Sequence, residues 1–183
     1  MAGRFDSGRI SLDLLAEPLD RAEGLARFLR ATGLVPAATR LRGLDRRWLA
    51  PFRELRDCVA ELVAGQLEGR PAAPAALELL NARAAASAPP APRAVRTRSG
   101  HLVRTLGGEP DCRSLLAAVA RDAVELLTDP AARALLRRCE GPGCRRLYLD
   151  TSRGRRRRWC SSEICGNRAR AARHRAAHPR RQA

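Results

Sequence analysis

Apolar residues recur at helical spacing through most of the first 136 positions. Residues 20–32 place Leu25, Phe28 and Leu29 on one face, and Gly33 follows as a C-cap. Residues 46–68 carry a longer stripe, Trp48, Phe52, Leu55, Val59, Leu62 and Val63, three and four apart. Such a stripe predicts an amphipathic helix with one buried face. Pro51 marks a candidate start for it, and Gly69 with Pro71 ends it. Residues 74–86 predict another helix with Leu77, Leu80 and Ala84 inward. Residues 111–128 predict a strong one with Leu115, Leu116, Val119, Ala123, Leu126 and Leu127 inward. Asp129 and Pro130 form a cap and a first-position proline for a short helix over 130–138. Ahead of all of these runs a short apolar segment, Ile10, Leu12, Leu14 and Leu15.

The helical period breaks in two places before residue 136. Residues 87–92 (SAPPAP) read as a linker. Residues 94–106 alternate around Ser99-Gly100 and predict a small β-hairpin, with Leu102 and Arg104 on one face and Val103 and Thr105 on the other. The fold class is therefore mainly α, a helical region with one small hairpin. His101 beside the turn reads as a solvated loop residue. Cys58 lies near the long stripe and reads as a small core residue. Cys112 opens a helix, where the dipole favours a thiolate, and is a candidate redox thiol.

From residue 137 onward the pattern changes. Cys139 and Cys144, then Cys160 and Cys165, form two C-x4-C pairs with fifteen residues between them. Two short pairs separated by the length of one hairpin suit a tetrahedral Zn(Cys)4 site with one zinc ion per chain. Disulfides are the first alternative. Asp6, Asp13, Glu17 and Asp20 break up any signal peptide, and a chain without one uses paired cysteines for metal more often than for disulfides. A Cys2His2 finger using His174 and His178 is the second. Only eight residues separate Cys165 from His174, and Cys139 and Cys144 would be left over.

Gly141-Pro142-Gly143 gives the first pair a tight turn. Leu147-Tyr148-Leu149 reads as a short strand, residues 150–154 as a turn, and residues 155–160 as a returning strand with Trp159 as its large apolar residue. Gly166-Asn167 then opens an Ala/Arg-rich helix over 167–177, stopped by Pro179. Knuckle, hairpin and helix in this order form a treble-clef-like finger.

These residues carry a resemblance. Trp159-Cys160-Ser161 followed by Cys165-Gly166-Asn167-Arg168 resembles the CGNR-type zinc finger, as does the run from Leu147 to Ser152. Tyr148 stands where that family usually has Phe. The resemblance implies that the finger follows a helical ABATE domain in a bacterial, stress-induced transcription regulator. It implies the divisions 1–136 for the helical domain and 137–178 for the finger, with 179–183 as a disordered basic tail. Trp159, Gly166 and Asn167 would support the finger, Asn167 by capping the helix or bonding to sulfur. The family commonly has an Asn-Thr pair after its first Leu-rich run; Ala16 and Glu17 stand there in this chain, so a ligand pocket that depends on that pair is not expected here.

Charge sharpens the picture. The formal net charge is +16, and all 35 basic residues are arginine. Residues 137–183 hold 15 Arg against Glu140, Asp150 and Glu163, whereas residues 1–136 set 20 Arg against 16 acids. A basic excess confined to a metal finger points to a polyanion, DNA first and RNA as the alternative. Alternation along the returning strand puts Arg155 and Arg157 on the face of Trp159, and Arg156 and Arg158 on the other. On the helix, Arg168 and Arg175 share a side, with Arg170 and Arg173 on the next ridge. About five neutralised phosphates would give a log-affinity against log-salt slope of roughly −4 to −5.

A protein-interaction module with a structural finger is the remaining alternative. No catalytic triad or phosphate loop is visible, and four Cys ligands close a zinc site to substrate, so an enzyme is not expected. No apolar run is long enough to span a membrane. The expected location is the bacterial cytoplasm, on the nucleoid when bound. A palindromic site would require a homodimer, although no heptad seam is visible. The helix entering Cys139 leads directly into the knuckle, so the finger should be docked on the helical region.

Overall fold

The computed structural model describes residues 7–177. Its helices are α1 Ile10–Leu15, α2 Ala22–Ala31, α3 Arg46–Glu68, α4 Pro74–Ala84, α5 Cys112–Thr128, α6 Pro130–Leu135 and α7 Asn167–Ala177. Two antiparallel pairs accompany them, β1 Pro92–Arg96 with β2 Leu102–Leu106, and β3 Leu136–Arg138 with β4 Leu147–Leu149.

α5 is the central element and packs against α1, α3, α4 and α6. Its Leu115, Leu116, Val119, Ala123 and Leu126 meet Phe52, Leu55, Val59, Leu62 and Val63 of α3, all buried. Leu25, Phe28 and Leu29 of α2 and Leu12 and Leu14 of α1 complete the core. Burying each such side chain contributes about 1.5–3 kcal/mol. Trp48 and Leu127 are only partly buried at its margin. The Cys58 thiol is buried and donates to the Ala76 carbonyl at 3.1 Å, as suits a core residue.

Aspartates cap the starts of α3, α5 and α6. Asp45 accepts from Arg47 N at 2.7 Å, Asp111 from Ser114 N at 2.9 Å and Asp129 from Ala131 N at 2.8 Å. The Asp45 cap places the start of α3 at Arg46, ahead of Pro51, which lies inside the helix. α4 turns Leu80 and Ala84 inward as expected, but Ala76 is buried in place of Leu77, which is 39% exposed. The helix has apolar residues on all sides, so its pattern does not select a face.

Buried polar contacts invisible to periodicity hold the N-terminal segment. Asp122 of α5 accepts from Ser11 N at 2.8 Å and Ser11 Oγ at 2.6 Å, and pairs with Arg9 at 3.3 Å. The Arg53 Nε donates to the Leu19 carbonyl at 2.9 Å. These bonds seat α1 and the turn after it on α5 and α3.

The expected helix over 130–138 is shorter. It ends at Leu135, and residues 136–138 pair with β4 in the register Leu136↔Leu149. Both leucines enter the main core, so strand pairing buries them while satisfying the backbone around the knuckle. The Leu149 N–H donates to the Ser7 carbonyl and the Asp150 N–H to the Leu135 carbonyl, each at 2.8 Å. The finger is thus built into the helical region. Among the described residues, no helix is long and apolar enough to cross a membrane.

Candidate metal centre

The four cysteines converge although they come from three local structures. Cys139 follows β3, and Cys144 closes the Gly141–Gly143 turn through its N–H to the Gly141 carbonyl at 2.9 Å. Cys160 ends the return from β4. Cys165 lies on a single π-helical turn, Ser162–Gly166, closed by Gly166 N to Ser161 O at 3.0 Å. Their ligand atoms all lie within 4.8 Å of one another. Cys144 and Cys160 Sγ are 3.8 Å apart, and Cys160 and Cys165 Sγ 3.6 Å. A tetrahedron with Zn–S bonds of about 2.3 Å has an edge of about 3.8 Å. The set fits Zn2+, and three of the four residues are buried.

At Cys139 the surroundings suit thiolate. Gly141 N and Cys160 N donate to Cys139 Sγ at 3.4 and 3.2 Å. Burial pushes the Cys139 thiol up, but these amides together with hydrogen bonds from the Cys160 and Cys144 thiols bring it below its ordinary value. Burial pushes Cys160 and Cys165 up. A bound dication would reverse that for every sulfur it touches. Two glycines leave room for the cluster. A Cβ on Gly141 would stand 2.9 Å from Cys165 Cβ and 3.2 Å from its Sγ, and one on Gly166 would meet the Trp159 ring at 3.4 Å.

The returning segment is not the strand the sequence predicts. Arg155 has a positive φ of 48°, which breaks an extended run. Side chains take the backbone groups a ladder would need. Asp150 Oδ2 accepts the Arg157 N–H at 2.9 Å, and the Tyr148 hydroxyl donates to the Arg157 carbonyl at 2.5 Å. Asp150 is buried and also accepts from Ser152 Oγ at 2.6 Å and Ser152 N at 3.1 Å. The Ser152 hydroxyl first, then the amides of Ser152 and Arg157, holds its carboxyl below the usual range. Burial pushes Tyr148 up to about 12. Neither this Asp150 bridge nor the Tyr148 contact follows from spacing. The one signal is an acid in an Asp-Thr-Ser turn within a block of arginines.

The expected alternation of Arg155 to Arg158 is lost with the strand. Arg157 folds inward, donating to the carbonyls of Trp159 and Cys160 and lying over the Tyr148 ring. Arg158 pairs with Glu140 at 2.6 Å beside Trp159, 5.5 Å from its ring centroid. On α7, Arg170 donates to Ser162 O and to Asn167 Oδ1. Asn167 therefore meets an arginine and not a sulfur, while Ser161 Oγ caps the π turn by accepting from Ile164 N at 3.1 Å. Arg155, Arg156, Arg168, Arg173 and Arg175 are exposed. Residues 178–183, with His178, Pro179 and the basic tail, lie outside the described residues.

Cys112 is not poised as a thiolate. Burial first, then the neighbouring Asp111 carboxylate, pushes its thiol up to about 11, and the Arg83 guanidinium offsets this only in part.

Between the finger and the helical region runs an open cleft of about 1050 Å3. Arg27, Phe28 and Ala31 of α2 line one side, and Trp159, Ser161 and Ile164 of the finger the other. Ala16 and Glu17 also line it, so the position of the family's Asn-Thr pair borders this cleft.

Comparison with known proteins agrees with this anatomy. Residues 8–130 match ABATE, described as "Putative stress-induced transcription regulator", and residues 135–178 match the CGNR zinc finger. No curated protein matches the chain. With the first match covering well over half of the sequence and the second covering all four sulfur ligands, the chain belongs to the ABATE family and carries a CGNR zinc finger.

Proposed function

We propose that the protein is a zinc-dependent DNA-binding transcription regulator whose finger contacts phosphates and whose helical region senses a signal. The observation that carries this is the division of the finger's arginines. Arg157, Arg158 and Arg170 hold the finger together. The side chains of Arg155, Arg156, Arg168, Arg173 and Arg175 make no hydrogen bond or ion pair among the described residues and stand exposed. Five arginines on a rigid module suit phosphate contacts, which position a protein on a duplex without reading its sequence.

Zn2+ held by Cys139, Cys144, Cys160 and Cys165 would be a structural cross-link, since four sulfurs complete its usual shell. The protein is then a binding module and not an enzyme. The finger reaches the helical region through Leu149 N to Ser7 O, and the two share the wall of the cleft. A small ligand held between Phe28 and Trp159 would touch both parts at once. That contact couples occupancy of the cleft to the pose of the finger.

Fluorescence anisotropy with labelled duplex DNA over a salt series tests this. Five phosphate contacts predict a log–log slope of about −4.5. Unlabelled RNA of equal length should compete less well than DNA. RNA that competes better would make the protein an RNA binder, and no salt-dependent binding at all would leave the finger as a protein-interaction clasp.

A further inference from the structure

The charge of the helical region is concentrated in one element. Residues 1–136 hold 20 Arg and 16 acids, an excess of four. Arg93, Arg96, Arg98 and Arg104 all lie within residues 92–108, which contain no Asp or Glu. Outside that segment the helical region is neutral. A general bias toward arginine does not produce this, because elsewhere in the region every arginine is matched by an acid.

That segment is the β1–β2 hairpin, and it stands out from the core. All five residues of β1 are exposed, as are Leu102, Val103 and Arg104 of β2. In the register Arg96↔Leu102 and Val95↔Val103, both faces meet solvent. Leu102 is 70% exposed, Val95 41% and Val103 42%. Only the base is anchored, by the partly buried Leu106 and by Arg104 Nη1 donating to the Gly33 carbonyl at 2.6 Å. Charged residues, basic ones above all, protect open strand edges from pairing. Edge protection alone does not call for Leu102 to stand 70% exposed beside Arg96 at the tip.

We propose that the β1–β2 hairpin is a second DNA-contacting arm, with Arg96 and Arg98 on phosphates and Leu102, which pairs with Arg96 on the same face, against the groove. A two-stranded ribbon fits the major groove, and an apolar side chain there can meet a thymine methyl. The arm is anchored at Gly33, just past α2, while Arg27, Phe28 and Ala31 of α2 border the finger. α2 has ten residues. At 1.5 Å per residue it is about 15 Å long. That is less than one turn of duplex, about 34 Å, so the base of the arm and the edge of the finger lie within one turn of each other. This inference rests on the finger binding DNA.

The test uses the full-length, zinc-loaded protein and its Arg96→Gln/Arg98→Gln variant. The probe is a mixed-sequence DNA duplex about three turns long, roughly 30 bp. The variant should keep its zinc content and helical circular dichroism. Its salt slope should be shallower by about 1.8, from two lost phosphate contacts. Wild-type binding with an unchanged slope in the variant would overturn the arm and leave the finger's role standing. Wild-type protein that binds no DNA would overturn both. If the variant binds DNA normally but the Leu102→Ser protein loses self-association in sedimentation, the hairpin meets a second copy, and the DNA arm is overturned.

Discussion

The guanidinium of Arg157 lies over the ring of Tyr148, 4.7 Å from its centroid, while the Tyr148 hydroxyl donates to the Arg157 carbonyl. Each residue fixes the other, and Cys160 follows three positions later. Arg157 is therefore part of the finger's framework. Its replacement should act through metal binding and not only through charge. Arg157→Gln is expected to cost about 2 kcal/mol from the lost stacking and carbonyl bonds, or roughly 30-fold in zinc affinity. Arg156→Gln, on the same turn but exposed, should leave zinc affinity unchanged and reduce the salt slope by about 0.9. Competition with a chromogenic chelator measures the first effect and anisotropy the second.

Asp150 makes the finger acid-sensitive in a defined direction. Its carboxyl sits below the usual 3.8 when folded, because Ser152 and Arg157 donate to the charged form. A group depressed on folding stabilises the native state above its unfolded value. That contribution disappears as pH falls through the folded value. Asp150→Asn should lower finger stability by a constant amount above about pH 5, and the gap to wild type should close under more acid conditions. Denaturant unfolding followed by the near-ultraviolet signal of Trp159 reports it. A gap that is flat down to the lowest pH would remove Asp150 from the stabilising set.

Gly141→Ala tests the cradle. The new methyl would lie 2.9 Å from Cys165 Cβ, among rigid neighbours. Zinc affinity should fall by about 10–100-fold, as for other changes that disturb ligand placement. Unchanged affinity would mean that the knuckle shifts freely.

The bond from Asp122 to Ser11 predicts coupling across the molecule. Asp122→Ala leaves the Ser11 amide and hydroxyl without their charged acceptor and should cost about 2–3 kcal/mol. It should also raise hydrogen exchange in residues 139–177, since the Ser7 carbonyl that receives Leu149 N lies next to α1. Faster exchange in α1 with no change in the finger would show that the two parts are uncoupled.

Cys112 should be a slow thiol. Its value near 11 lies above the usual 9.0, so the neutral form is favoured by folding. Stability from this group is complete below the ordinary value and is lost as pH rises through the folded one. Alkylation of zinc-loaded protein at neutral pH should therefore spare Cys112, and its rate should climb only toward pH 11. Rapid labelling near pH 7 would restore it as a redox candidate.

The helices and the metal ligands were legible because each follows a local rule. The α3 stripe repeats every three to four residues, and the cysteine pairs sit at a fixed spacing. What escaped notice depends on pairing between distant residues. Leu136 opposite Leu149 turns the end of a helical pattern into a strand. Asp150 and Tyr148 take the backbone groups of Arg157, so an apparent second strand becomes a latch. The inward face of α4 is set by α3 and α5, because its own apolar residues surround it. The division of arginines into framework and free surface likewise depends on contacts that no spacing encodes. The position of Cys112 at a helix start is local, but its burial, which raises the thiol, is set by the packed fold.

The most direct measurement is zinc content together with DNA affinity across salt, for wild type and Cys160→Ser. Wild type should carry one zinc per chain and bind duplex DNA with a slope to which the finger's five contacts contribute about −4.5. The variant should lose the metal and that share of the slope, keeping at most the part due to the β1–β2 arm, while α1 to α6 keep their circular dichroism. A wild-type protein that holds zinc but binds DNA no better than RNA, or a metal-free variant that binds DNA as wild type does, would contradict the assignment of the finger as the DNA-binding element.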